Sequence, residues 1–192
     1  MKSFKSIADF VVHLRMVQGL ADLRVQRALH EAARRVQEEA VHSIGAYQEA
    51  AGPFKAWEPL AQNTLEGFTD SRGLHHPGKE ELGFAPPDNP LERTGQLKHA
   101  TELTVTRNHA EIGVPDEEVG DGSPEDPNRN IGDVAYWTEF GTEKMPARSF
   151  LGRALFVKEH EVVSIIWNAA GAAVEGRDYH PPRNSTEQDI PF

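Results

Sequence analysis

Apolar positions at helical spacing dominate both ends of this chain. Phe4, Ile7, Val11 and Leu14 recur every three or four residues, and Gly19 is read as an interruption before a second helix. From Leu20 to about Ala50, Leu29, Ala33, Val36, Ala40, Ile44 and Tyr47 trace one stripe, with Arg24, Arg27, Arg34, Arg35, Glu38 and Glu39 largely on the other faces. A helix of that length is predicted to span its domain or to meet a neighbouring subunit. A final helix is predicted from about Phe150 to Val174, with Leu151, Leu155, Val162, Ile166, Ala169 and Ala173 along one side. Its small residues from Ala169 to Ala173 allow another element to approach closely.

Between the helices the period changes. Residues 52–90 carry Gly52, Pro53, Pro59, Gly67, Gly73, Pro77, Gly78, Gly83, Pro86, Pro87 and Pro90, which forbid long regular structure. Leu103, Val105 and Arg107, then Ile112 and Val114, alternate as the two strands of a hairpin turning at Asn108-His109. Val134, Tyr136 and Phe140 have the spacing of one face of a further strand, closed by Gly141. Pro146 holds Met145 out of the α region, and Ser149 is placed to cap a helix whose first apolar residues are Phe150 and Leu151. The sum is an α+β fold: a long N-terminal helix and a C-terminal helix packed on a small, mainly antiparallel sheet of at least three strands, with long loops. We expect one domain over 1–176 with loop-rich insertions at 52–90 and 115–133, and an extended arm over 177–192. Deletion after Gly176 is then expected to spare folding.

Composition narrows the function. Thirty acidic against twenty basic residues give a formal charge of -10, the wrong sign for a protein that grips nucleic acid. There is no cysteine, which excludes disulfides and thiolate metal sites. Asp9, His13 and Arg15 interrupt any signal-peptide core, and no run approaches the roughly 18 apolar residues of a membrane span. No glycine-rich phosphate loop, nucleophile elbow or His-Glu-x-x-His pattern is present. Nine histidines invite a metal reading through His75-His76 with His42, His160 or His180, but adjacent histidines in an extended segment point to opposite sides, a poor chelate. The carboxylates Asp116, Glu117, Glu118, Asp121, Glu125, Asp126 and Asp133 lie in a solvated loop, where Asp121-Gly122 and Asp126 are the choice for a loosely held cation. We expect no catalytic, cofactor-binding or metal-ligating residue.

Three motifs carry a resemblance. Trp57-Glu58-Pro59-Leu60 is followed by Asn63-Thr64-Leu65, Leu91-Glu92-Arg93-Thr94-Gly95-Gln96-Leu97 follows the Pro-rich stretch, and Asp133 to Leu151 contains Tyr136, Glu139, Gly141, Pro146, Arg148, Phe150 and Leu151. In this order, over residues 20–175, they resemble the neck and tail-completion proteins of tailed bacteriophages: the virion morphogenesis proteins of Mu-like phages and related neck proteins of long-tailed phages. Trp137 stands where the family more often has a small residue, the inserts at 66–90 and 116–132 are long, and the chain after Arg177 is outside the shared region.

The resemblance implies a structural subunit and no enzyme. It would form a ring, by default a hexamer, between the portal, adaptor or stopper side of the neck and the tail-tube or terminator side. DNA would pass through it without specific binding, and no membrane or cofactor is involved. Such a protein is assembled in the host cytoplasm and resides in the virion. Trp57, Pro59, Leu60, Thr94, Gly95, Leu97, Tyr136, Glu139, Gly141, Pro146, Arg148, Phe150 and Leu151 would be subunit contacts or core anchors. Within that set, Arg148 would pair with a carboxylate across an interface, and Phe150 and Leu151 would anchor the helix start on the sheet. Asp116, Glu117, Glu118, Asp121, Glu125 and Asp126 would line the lumen, and Ile190-Pro191-Phe192 would dock on a neighbour. A tail terminator or minor tail protein, and a metal-dependent hydrolase, are the alternatives.

Overall fold

The computed structural model describes residues 6–84, 86–118 and 130–180. The elements are α1 (Ile7–Ser43), α2 (Gln62–Glu66), β1 (Gly67–Thr69), β2 (His75–Pro77), α3 (Gln96–His99), β3 (Glu102–Val105), β4 (Ala110–Gly113), α4 (Ile131–Phe140) and α5 (Leu151–Glu175). The fold is α+β, with a long helix at each end and small antiparallel sheets. Among the described residues the strands form two separate two-stranded sheets, β1-β2 and β3-β4, in place of the expected single sheet of at least three strands.

Three local expectations give way for identifiable reasons. Gly19 does not interrupt α1, which is continuous; a glycine costs a helix about 1 kcal/mol, which thirty-six other positions absorb. The helix stops at Ser43, before Tyr47, because the Gly45 N–H leaves the helical ladder and donates to the Pro90 carbonyl at 2.9 Å. The segment expected as a strand through Val134, Tyr136 and Phe140 is α4. Asn130 caps it by accepting the Gly132 N–H at 2.8 Å, and its buried residues Ile131, Ala135 and Thr138 fall at helical spacing.

The chain divides into two compact units. The first contains Met1–Arg35, Thr104–Glu111 and Glu159–Phe192. Here α1 and α5 run antiparallel: Arg35 meets Glu161 at 3.6 Å, and Arg24, farther back along α1, meets Asp178 beyond the end of α5 at 3.3 Å. Ala28, Ala32, Ile165 and Ala169 form the contact, with Val162, Ile166 and Tyr179 packed around it. Alanines at the seam let the helices approach closely. Tyr179 therefore belongs to the packed structure, and ordered packing runs past Gly176, where the arm was expected to begin. The hairpin tip in this unit is closed by the Thr106 N–H on the His109 carbonyl at 2.8 Å, which brackets Arg107 and Asn108, one residue before the expected Asn108-His109 turn.

The second unit contains Val36–Leu103 and Ile112–Lys158. Its buried apolar residues are Val36, Ala40 and Ile44 of α1, Trp57, Leu97 of α3, Ile131 and Ala135 of α4, and Phe150 and Ala154 at the start of α5. α3 packs on α4. The Gly/Pro-rich stretch is more ordered than its composition suggests: β1 pairs with β2 in the register Phe68 to His76, and Asp70 closes the turn by accepting the N–H groups of Arg72 and Leu74 at 2.9 and 3.0 Å.

Candidate functional site

The motif residues meet in the second unit, at the joint from α4 to α5. Gly141 ends α4 with φ of 77°, its N–H still donating to the Trp137 carbonyl at 2.8 Å. A side chain at Gly141 would come within 2.8 Å of the Ala147 backbone nitrogen, so the return of the chain needs glycine there. Thr142 then organises a turn: its N–H donates to the Met145 carbonyl at 2.8 Å, and its hydroxyl accepts the Met145 N–H at 3.1 Å. Pro146 is exposed on this turn. The Arg148 N–H closes the loop on the Thr138 carbonyl at 2.7 Å.

Glu139 is the hub of this joint. Its carboxylate accepts the backbone N–H groups of Phe150, Leu151 and Gly152 at 2.9, 3.0 and 2.9 Å and the Ser149 hydroxyl. Helix N-termini leave such donors unsatisfied, and a carboxylate is the best acceptor for them because it also opposes the helix dipole. The expected cap, Ser149, makes only a 3.3 Å contact from the Arg153 N–H. The cap thus comes from the preceding helix and clamps α4 to α5. Phe150, fully buried, seats the start of α5, and Leu151 is half-buried.

Arg148 lies inside its own chain. It is 4% exposed, and its guanidinium donates to the carbonyls of Glu58 and Pro59 at 3.0 and 3.2 Å. The expectation of a carboxylate partner across an interface is replaced by two backbone carbonyls about ninety residues back along the chain. Burial pushes the guanidinium below its ordinary pKa, opposed by the nearby Tyr47 and Glu58. Its Nε has no hydrogen-bond partner. Arg148 thus joins the Trp57 motif to the Pro146 motif. The Tyr47 hydroxyl accepts the Leu60 N–H at 3.0 Å and the Trp57 backbone N–H donates to the Gln48 carbonyl at 2.9 Å, holding the same loop from behind. Trp57 is buried, Leu60 half-buried and Pro59 exposed.

A third strut is absent from the sequence motifs. Ala51 and Phe54 exchange backbone hydrogen bonds at 2.9 and 3.0 Å, and Phe54 meets Phe156 of α5 edge-on with ring centroids 6.0 Å apart. Phe156 lies so close over Gly52 that a side chain there would have to displace its ring. Arg153 adds a bond from Nε to the Glu49 carbonyl at 3.2 Å. Of the remaining motif, Leu97 is buried, Gly95 turns the chain into α3 with φ of 80°, and Thr94 is exposed with its hydroxyl on Gln96 at 2.8 Å. Comparison with known proteins gave no matching family model, no matching curated relative and no matching solved structure.

With its inner face committed, α4 turns aromatics outward. Tyr136 is 62% exposed, Trp137 44% and Phe140 68%, and the Tyr136 and Phe140 rings lie 4.9 Å apart. Elsewhere the polar groups are less concerted. His75 contacts Glu81 at 2.8 Å, whereas His76 contacts Asp70 at 3.5 Å and stacks on Phe68, so the two rings diverge. Among the described residues no three His, Asp or Glu side chains converge on a metal position. Asp116, Glu117 and Glu118 are exposed; Asp121, Glu125 and Asp126 lie outside the described residues. The base of the acidic loop is pinned by the Ile131 N–H on the Glu117 carbonyl at 2.9 Å. In the first unit, a shallow groove of about 270 Å³ is lined by Leu23, Gln26, Arg27, His30 and Val105. No described helix is long and apolar enough to cross a membrane.

Proposed function

We propose that this chain is a structural subunit of a tailed-phage neck, a head-tail connector or tail-completion protein that assembles with copies of itself into a ring. The observation that carries the reading is the outward aromatic face of α4. Tyr136, Trp137 and Phe140 stand exposed on a helix whose neighbouring residues, Thr138 and Glu139, are locked into the joint. Exposed aromatics on a rigid element are the composition of an interface anchor, and they lose little side-chain entropy on binding. The motif pieces support the same reading, because Arg148 and Glu139 turn three separated segments into one stiff platform under that face. In the ring, the exposed carboxylates of Asp116, Glu117 and Glu118 face the channel, where negative charge keeps a duplex from adhering.

The test is made in infected cells. A phage deleted for this gene should yield heads and tails that fail to join, and the wild-type protein should restore joined particles. Tyr136→Ser with Phe140→Ser should purify as a folded protein, since both side chains are exposed, yet fail to restore them. Normal particles from the deletion phage would overturn the proposal.

A further inference from the structure

Among the described residues, the first turns of α1 extend past the end of α5 in their own unit. Because Arg24 pairs with Asp178, just past the end of α5, the part of α1 before Asp22 lies beyond that end. Every described side chain from Ile7 to Gly19 is exposed except the half-buried His13. Apolar helical turns left in water are marginal. Along one line that runs through this overhang to the groove-lining Leu23 lie Val12, Met16, Gly19 and Leu23, at intervals of four, three and four residues.

The outer side of α5 carries a line of the same spacing. Val163, Trp167, Ala170 and Val174 lie opposite the seam residues Ile165 and Ala169, and Val163, Trp167 and Val174 are 58%, 76% and 83% exposed. Run antiparallel, the two lines fit by size: Met16 meets Ala170, and Trp167 meets Gly19. Run parallel, Met16 would strike Trp167 and Gly19 would face Ala170, leaving a clash beside a void. Charge agrees with the antiparallel register, which sets Arg27 of α1 against Glu159 of α5. Gly19 has open space where a side chain would go. No described residue of its own chain accounts for a glycine in mid-helix, whereas a facing tryptophan does.

We infer that α1 of one copy packs antiparallel on the outer face of α5 of a second copy, with Trp167 seated over Gly19. Within one copy this is impossible, since α1 already occupies the inner face of α5 through Ala28 and Ala32. Each copy therefore offers both a donor and a receiver surface, and the contact is head-to-tail. The apolar stripes offer at most about 800 Å² in total, less than a stable pairwise interface buries, so a single contact is weak and ring closure strengthens it. The inference deepens the proposed ring by naming a contact within it.

The chain has no cysteine, which makes cross-linking direct. Purified Met16→Cys and Ala170→Cys variants, mixed and mildly oxidised, should yield the mixed disulfide dimer, with little dimer from either variant alone. Gly19→Leu should keep the helical content of the wild type and weaken self-association at least tenfold in sedimentation. Adding Trp167→Ala to Gly19→Leu should recover part of that loss. Absence of the mixed disulfide, dimer from Met16→Cys alone, or unchanged association of Gly19→Leu would each overturn the contact. Placing both cysteine substitutions in one chain separates this inference from the ring: a ladder of cross-linked oligomers supports both, whereas a ladder stopping at two copies retains the contact and removes the ring.

Discussion

Glu139 and Arg148 do complementary work at one joint. The carboxylate satisfies three backbone donors at the start of α5, and the guanidinium satisfies two carbonyls of the Trp57 loop. Removing Glu139 as Glu139→Ala should cost about 2 kcal/mol, the upper range for a lost helix cap. Arg148→Ala should cost about 3 kcal/mol, because it leaves buried carbonyls unpaired beside a cavity. Arg148→Met should lose less than Arg148→Ala, since it fills the volume and removes a buried charge that has no carboxylate partner. Urea melts of the three variants check this order. A Met variant as unstable as the Ala variant would place the value of Arg148 in its hydrogen bonds alone. The sequence could name both residues but not their roles, because each partner is fixed only when distant backbone comes to hand.

At the scale of elements, α1 is tied to α5 by a charged cluster with a definite pH response. Burial raises the pKa of Glu31, but hydrogen bonds from Arg34 and Arg35, at 2.7 to 3.1 Å, outweigh it and hold the carboxylate below its ordinary 4.5. A folded value below the unfolded one means that the carboxylate adds stability above pH 4.5, and that this is lost as pH falls through the depressed value. Wild type should therefore exceed Glu31→Gln in denaturant stability above pH 4.5, and the gap should close on acidification. A gap independent of pH would assign the effect to packing. This cluster was within reach of the sequence, since Glu31, Arg34 and Arg35 stand at helical spacings of three and four. Which carboxylate of α5 joins it, Glu161, was not.

For the molecule as a whole, the stretch after α5 is part of the folded structure. The Arg177 N–H donates to the Ala172 carbonyl at 2.9 Å, and Tyr179 packs against the seam of α1 and α5. Deletion after Gly176 should lower stability by about 1–2 kcal/mol, the value of a partly buried aromatic side chain. Tyr179→Ala should reproduce most of that loss. Tyr179→Phe should be neutral or stabilising, because the hydroxyl is buried without a partner. Thermal melts of the three variants decide the matter, and a deletion as stable as wild type would restore Gly176 as the end of the folded chain.

By itself, the sequence determined what depends on near neighbours: the two long amphipathic helices, a β-hairpin between residues 102 and 113, and the α+β class. Periodicity is a local property, and it survives any tertiary arrangement that buries one face. It failed at Ile131–Phe140, where alternation through Val134 and Tyr136 coexists with helical spacing through Ile131, Ala135 and Thr138. Asn130 as a cap was the signal that separates the two. Tertiary structure alone decided that Arg148 points inward, that Glu139 caps a helix it does not belong to, and that α1 overhangs α5. Each depends on groups far apart in the chain meeting at bonding distance, or on the register of two helices whose seam of alanines looks the same at several offsets. Sterics and periodicity are written residue by residue, whereas partners are chosen only when the chain closes on itself.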